Sequence, residues 1–332
     1  MSKAEPRFDI LPSVVDGRTA DSYFHRTNEI LRGEGVNPIV VMEIFCRAQA
    51  VVCGVKESCQ LLQAASFTGE LWAVEEGASV EPMETAMRIV GPYQSFGLYE
   101  TAILGILASG SGWASAARRC VEAAGDVPVI SFGARHVHPK VADVMDYAAM
   151  VGGCVTGSTP AGAGLLGRAA SGTMPHALIL VLGDTVRAAE AFDRHIAPDV
   201  SRVALVDTFH DEVEESLRVA GALGDRLWGV RLDTPSERGG VTPELVIETR
   251  AKLDLAGYAH VRIFVSSGLD PDKIRHFRDR GAPIDGFGVG SYISGATPID
   301  FTGDIREIEG KPVAKRGRLP GRQPTDRLTR LI

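Results

Sequence analysis

Four short stretches of this chain gather side chains that can do chemistry. In Ser131-Phe132-Gly133-Ala134-Arg135-His136-Val137-His138-Pro139, an apolar run closes on an aromatic ring, a glycine, an arginine and two histidines. A ring such as Phe132 can stack on a flat heteroaromatic molecule, which is worth about 0.5–1.5 kcal/mol beyond the area it buries. The Arg135 guanidinium can fork onto a phosphate or carboxylate through two charge-assisted bonds. The same run also suits a core phenylalanine followed by a solvated basic turn, and composition alone favours that plainer arrangement. In Gly172-Thr173-Met174-Pro175-His176, which leads into a helix, His176 stands near the helix amino terminus, where backbone donors favour anions. An imidazole there can take up and pass on a phosphoryl group as a nucleophile, or it can be a satisfied structural histidine.

The third stretch is Gly229-Val230-Arg231-Leu232-Asp233, which acts together with Asp207. A strand period of two puts Arg231 and Asp233 on one face. Facing a cleft, Asp233 could hold Mg²⁺ directly or through water, and Arg231 a phosphate; facing each other, they would form a structural ion pair. The fourth is Gly286-Phe287-Gly288-Val289-Gly290-Ser291. It reads as a glycine-rich turn after a strand, where backbone N–H groups can approach a phosphate closely.

The elements that must carry these residues follow from periodicity. From Trp113 onward, Val- and Ile-rich runs at 129–132, 153–156, 203–206, 228–232, 263–265 and 284–287 alternate with helical stretches near 137–150, 184–195, 211–223, 243–257 and 271–280. Parallel strands need crossover connections, so this alternation predicts a parallel sheet. The number of units suits a closed or nearly closed barrel, with an open doubly wound sheet as the alternative. Arg135, Ser158, Asp207, Asp233, Ser266 with Ser267, and Gly288 with Gly290 all fall just past predicted strands, and barrels build their catalytic groups from such strand ends. The expected fold is α/β: an irregular TIM-like barrel over 113–299, with a smaller α+β domain over 1–112 joined by 300–332. Within the small domain, 38–46, 71–74 and 87–90 read as strands, Glu75-Glu76-Gly77 as a turn and 94–108 as a helix. The Arg- and Pro-bearing tail, 311–332, is expected to wrap the small domain or to be mobile in part.

At 332 residues the chain can bury a large core. A net charge of −7 excludes the basic excess of a nucleic-acid binder, although a local cationic cluster can still draw anions into one cleft. No apolar run reaches the roughly 18 to 20 residues that span a bilayer. Residues 1–9 lack the apolar core of a signal peptide. Cys46, Cys53, Cys59, Cys120 and Cys154 form no short C-x-x-C pair. A cytoplasmic protein with reduced thiols is therefore expected.

In order along the chain, the motifs resemble those of the nicotinate phosphoribosyltransferase family, within the type II phosphoribosyltransferases that also include the quinolinate and nicotinamide enzymes. The likeness begins at Ala20-Asp21-Ser22-Tyr23-Phe24 with Arg26-Thr27, the Glu75-Glu76-Gly77 turn and Tyr99-Glu100-Thr101. It continues through the Phe132, His176, Asp207 and Arg231 segments, and ends at Phe287 to Gly290 and Gly310-Lys311-Pro312-Val313-Ala314-Lys315. The resemblance implies transfer of phosphoribose from phosphoribosyl pyrophosphate to nicotinate, with Mg²⁺ and with ATP as co-substrate, in a homodimer or higher homo-oligomer whose sites lie at subunit interfaces. It implies that Phe132 stacks on one face of the pyridine, and Tyr23 of a second copy on the other. Arg135 and Arg231 would bind phosphates and carboxylate; Asp207 and Asp233 would lie near ribose and metal; the Gly288 to Gly290 turn would take the 5′-phosphate. His176 matches the histidine that ATP-coupled members phosphorylate.

The chain departs from the pattern in places. It lacks the tail cysteine cluster of some members. Thr159, in Gly157-Ser158-Thr159-Pro160, replaces an aspartate with which nicotinamide-using relatives read the amide, which favours a carboxylate substrate. The alternatives are a quinolinate or nicotinamide phosphoribosyltransferase, another barrel enzyme acting on a sugar phosphate, and a non-catalytic nucleotide-binding relative.

Overall fold

The computed structural model describes residues 6–332, so 1–5 of the polar amino-terminal run lie outside the described residues. Two sheets organise the chain. The first is antiparallel and six-stranded, in the order Lys311–Pro312, Phe301–Ile308, Ile39–Cys46, Thr85–Pro92, Glu70–Ala73, Thr329–Arg330. Its centre is Ile39–Cys46, a near-continuous apolar run that is buried along almost its whole length, as a strand flanked on both edges and covered on both faces must be. Glu43 interrupts that run with a fully buried carboxylate. Arg88 meets it with two bonds, at 2.9 and 2.7 Å, Arg306 approaches within 3.3 Å, and the Gln323 amide donates to it at 3.1 Å.

These contacts settle where the tail goes. Besides Gln323, its cations meet carboxylates on or beside the sheet in turn: Lys315 and Arg318 on Asp304, Arg322 on Glu307, Arg327 on Glu84 just before Thr85–Pro92, and Arg330 on Glu70. The tail wraps the small sheet as an ionic strap.

The second sheet is parallel, in the order Val129–Ser131, Gly286–Val289, Arg262–Val265, Gly229–Leu232, Val203–Leu205. The last strand in sequence pairs with the first, which is how a barrel closes. Beyond Val129–Ser131 only a single parallel bridge, Ile130 to Thr156, continues the ladder. Among the described residues no strand pairing joins Thr156 to Val203–Leu205, so the barrel is open on that side. The expected strand at 153–156 shrinks to that bridge, and the helix expected after Gly172–Pro175 runs from His176 to Leu182, within the gap in the chain order.

The helix Glu100–Ala124 ties the two units together. Ile103 and Leu107 in its first half pack into the core of the antiparallel sheet, and Ala117, Cys120 and Ala124 in its second half pack into the barrel core. The expected 94–108 helix therefore starts later and runs much further. Two short 3₁₀ turns, Tyr93–Ser95 and Gly97–Tyr99, precede it. Cys46, Cys53, Cys120 and Cys154 are buried thiols. Among the described residues no helix is long and apolar enough to cross a membrane.

Candidate active site

A cleft of about 800 Å³ opens over the carboxyl ends of the parallel strands. Phe132, Arg135, His176, Arg231, Asp233, Ser267, Gly288 and Gly290, which the sequence singled out, all line it. Arg231 and Gly288 lie within their strands, His176 begins the helix His176–Leu182, and the others are delivered by the segments that follow a strand. Below the cleft and sharing Phe132 and Arg231 with it, a second cavity of about 300 Å³ runs among apolar barrel residues such as Trp228 and Phe264.

Phe132 and Arg231 form one unit. The Arg231 guanidinium carbon lies 5.7 Å from the centre of the Phe132 ring, within cation–π range. One Nη of Arg231 donates to the Met174 carbonyl at 3.3 Å, while its Nε is buried with no partner. Burial pulls the Arg231 pKa down; Asp233 and Asp207 oppose this, and the charge of nearby Arg135 adds to it. Two guanidiniums that repel one another beside an unsatisfied donor are a ready receiver for an anion. Arg135 itself sits on the 3₁₀ turn Ala134–His136 and is exposed at the mouth.

The acidic side of the cleft is built by Asp233 and, just beneath it, Asp207. Asp207 Oδ2 accepts from the Asp233 backbone N–H at 2.5 Å, and Asp233 Oδ1 accepts from the Ser266 hydroxyl at 2.8 Å. Asp207 Oδ1 is buried and unpartnered. His176 Nε2 lies 3.9 Å from that oxygen and 3.8 Å from Asp233 Oδ2, and its Nδ1 is 3.0 Å from the Thr208 hydroxyl. Burial pushes the Asp207 carboxyl up; the Asp233 amide and His176 pull it down, and the Asp233 charge raises it again. The ion pair expected as one option for Arg231 and Asp233 is absent from the ion pairs of the described residues; both side chains face the cleft. Behind them, Thr234 donates to the buried Glu212 at 2.8 Å and holds the segment after Asp233 in place.

Three expected roles look different in the structure. Gly288 is not in a turn: it lies within the strand Gly286–Val289 and is buried. A methyl group on it would come within 2.3 Å of the Phe132 ring, so its hydrogen makes room for that ring. Only Gly290 and Ser291 lie beyond the strand. Thr159 does not line the cleft. Its hydroxyl donates to Asp146 at 2.9 Å and accepts from the Gly162 N–H at 3.1 Å, capping the short helix Pro160–Gly164. Its neighbour Ser158 faces the cleft instead. Tyr23 lies on the small-domain helix Ser22–Gly33, 56% exposed, and donates to Asp21; it is not among the lining residues of its own cleft. Ser267, at φ 81°, holds a left-handed backbone that few non-glycine residues adopt.

Sequence reasoning missed the buried acid Asp146, the partner of Ser131, Ser158 and Thr159. The signal was present as a lone acid at the centre of the apolar stretch Met145-Asp146-Tyr147-Ala148.

Comparison with known families decides the kinship. The model of the quinolinate phosphoribosyl transferase N-terminal domain matches residues 21–111, and that of the C-terminal domain residues 113–303. The chain belongs to the quinolinate phosphoribosyl transferase family. This corrects the family expected from the motifs, which was that of the nicotinate phosphoribosyltransferases. Strand-end arginines, carboxylates and an aromatic floor suit phosphoribosyl transfer to any pyridine, so they do not separate one branch from another.

Among individual relatives of this quinolinate phosphoribosyl transferase family member, a crystal structure of nicotinate-nucleotide pyrophosphorylase from Pyrococcus furiosus is 45% identical, covers 95% of this chain and 82% of its own, and superposes with a TM-score of 0.88. A nicotinate phosphoribosyltransferase of Mycobacterium tuberculosis is 36% identical over 71% of this chain and 50% of its own length. One from Bacillus subtilis is 32% identical over 67% of this chain and 45% of its own. The chain thus spans about half the length of these two relatives. A human nicotinic acid phosphoribosyltransferase, 17% identical with a TM-score of 0.70, shares the fold.

Proposed function

We propose that this chain transfers the phosphoribosyl group of phosphoribosyl pyrophosphate to the ring nitrogen of a pyridine carboxylate, releasing pyrophosphate. The observation that carries this reading is the Phe132–Arg231 pair set beside Asp233 in one cleft, with Asp207 buried beneath Asp233. A flat ring with a carboxylate fits against the first two, and a ribose with its leaving diphosphate against the strand-end polar groups.

The acceptor we favour is nicotinate, as the names of the two bacterial relatives suggest. Among the described residues, Arg135 and Arg231 are the only Arg or Lys side chains lining the cleft, and phosphates compete for them, which leaves little positive charge for a second carboxylate. Quinolinate is the second reading, carried by the family models.

The reaction places positive charge on the ribose C1 as its bond to pyrophosphate breaks. The attacking nitrogen bears no proton, so no general base is required. The residues act by holding the ring in line and by electrostatic stabilisation. Phe132 supports the pyridine, Arg231 orients its carboxylate, and Asp207 and Asp233 face the developing positive charge. The donor set also fits Mg²⁺: Asp207 Oδ1, buried without a hydrogen bond, and Asp233 Oδ2, 3.8 Å from His176 Nε2, offer carboxylate oxygens. Among the described residues no larger cluster forms a protein cage, in keeping with an ion that keeps waters and substrate phosphates as ligands. Bound there, Mg²⁺ would neutralise charge on the diphosphate.

ATP coupling is part of the same proposal. His176 Nε2 would take the γ-phosphoryl group of ATP, releasing ADP, and later yield phosphate to water. We further propose that a second copy supplies Tyr23 to the open side of the pyridine, which makes a homodimer the smallest active unit. The test is incubation with phosphoribosyl pyrophosphate and nicotinate, quinolinate or nicotinamide, with product nucleotide quantified. Nicotinate mononucleotide as the main product supports the reading, and turnover of nicotinamide alone would refute it.

A further inference from the structure

Of the two carboxylates on the helix Ala142–Val151, Asp143 and Asp146, the second is 0% exposed, in a stretch where every residue from 145 to 150 is buried. A buried charge is costly unless several donors surround it. Here five do. Oδ1 accepts from the Ser131 hydroxyl at 2.9 Å. Oδ2 accepts from the Ser158 amide at 3.0 Å, the Thr159 amide at 2.9 Å, the Thr159 hydroxyl at 2.9 Å and the Ser158 hydroxyl at 3.4 Å. The surrounding chain is shaped for it. A Cβ on Gly157 would stand 2.6 Å from Asp146 Cγ, and one on Gly162 2.5 Å from its Cβ.

The donors belong to two walls of the cleft. Ser131 ends the strand whose next residue is Phe132, and Ser158 lines the cleft beside it. Backbone pairing between these walls is thin. It consists of the Ile130 to Thr156 bridge, with the Val155 N–H on the Val129 carbonyl and the Ser131 N–H on the Thr156 carbonyl. We propose that Asp146 is a positioning residue that sets the distance between Phe132 and Ser158, and thereby the width of the pyridine end of the cleft. It touches no substrate. The inference rests on the proposed transfer reaction only for its kinetic readout.

The experiment compares Asp146→Ala, Asp146→Asn and Ser131→Ala with wild type. The asparagine keeps an acceptor where Oδ2 stands, and its NH₂ can donate to a rotated Ser131 hydroxyl, so it should rescue. Asp146→Ala is expected to raise KM for nicotinate at least tenfold while leaving KM for phosphoribosyl pyrophosphate within twofold. Asp146→Asn should stay within threefold of wild type in both. Ser131→Ala, which loses one link only, covers the case in which the alanine variant does not fold: it should stay folded with a lowered Tm and raise the nicotinate KM. Equal rises in both KM values, or loss confined to kcat, would overturn the proposal.

Hydrogen exchange at the Ser158 and Thr159 amides tests the clamp without turnover. Faster exchange in Asp146→Ala, or in Asp146→Asn to a lesser degree, supports it; unchanged exchange in both rejects it. Absence of wild-type turnover would count against the transfer reaction alone, because the exchange rates report on the clamp whether or not the protein turns over a pyridine.

Discussion

Gly288 yields its side-chain space to Phe132: a methyl group there would lie 2.3 Å from the ring's Cε2 and 2.6 Å from its Cδ2. The ring that floors the cleft is thus placed from below by an adjacent strand, with Gly288 in register with Ile130 two residues before it. Replacing Gly288 with alanine should push the ring into the cleft. Overpacking of this kind costs about 1–3 kcal/mol, and the strain should appear both as a lower Tm and as a KM for the pyridine raised about tenfold or more. Steady-state kinetics beside thermal melts checks both; a variant with unchanged acceptor KM would remove Phe132 from the acceptor site.

Arg231 is half-buried, with its Nε shut off from solvent and its planar guanidinium set beside that ring. Lysine keeps a charge but cannot present two parallel donors or stack in the same way. Arg231→Lys is expected to lose about 100-fold or more in kcat/KM, about 2.7 kcal/mol of transition-state stabilisation, with the fold intact by circular dichroism. A loss under threefold would show that the guanidinium fork is not used.

The sequence revealed the strand-end residues because their signals are local: a β-rich run followed by Phe, Arg, His or Asp is visible without knowing what packs on it. Phe132, Arg135, His176, Arg231 and Asp233 accordingly meet in one cleft. What failed was long-range. Gly288 read as a turn because a Gly-x-Gly run resembles one, and nothing nearby in sequence announces the ring of Phe132. Thr159 read as a substrate contact because its bond to Asp146 crosses from another element. The barrel's open side was equally hidden, since residues 153–156 have strand composition but find one partner only.

His176 presents Nε2 to two carboxylates while Nδ1 contacts Thr208. His176→Ala should abolish stimulation by ATP and leave basal phosphoribosyl transfer. Rates measured with and without ATP test this directly; equal stimulation in variant and wild type excludes a phosphohistidine.

Glu57, on the small-domain helix Val55–Ala64, has its carboxyl pushed up to about 7 from 4.5 by burial, with Asp143 and Glu76 adding to the shift. A carboxyl raised in the fold contributes stability fully below its unfolded value and loses it as pH rises through the folded value. Stability should therefore fall between about pH 4.5 and 7 on account of this group. Glu100 is pushed to about 7 as well, by burial that Lys315 partly offsets, so one variant removes part of the slope. Glu57→Gln is expected to flatten the dependence of Tm on pH and, at about pH 8, to gain on the order of 1 kcal/mol, discounted for the partial exposure of the group. An unchanged pH profile would place the Glu57 carboxyl in water.

Purified protein given phosphoribosyl pyrophosphate, Mg²⁺ and ATP, with nicotinate or quinolinate in parallel, tests the central claim most directly, by chromatographic detection of the mononucleotide and an enzymatic assay of pyrophosphate. The expected result is nicotinate mononucleotide and pyrophosphate in equal amounts, with quinolinate turned over more slowly or not at all. No nucleotide from either pyridine, with the protein folded, would contradict phosphoribosyl transfer in this cleft.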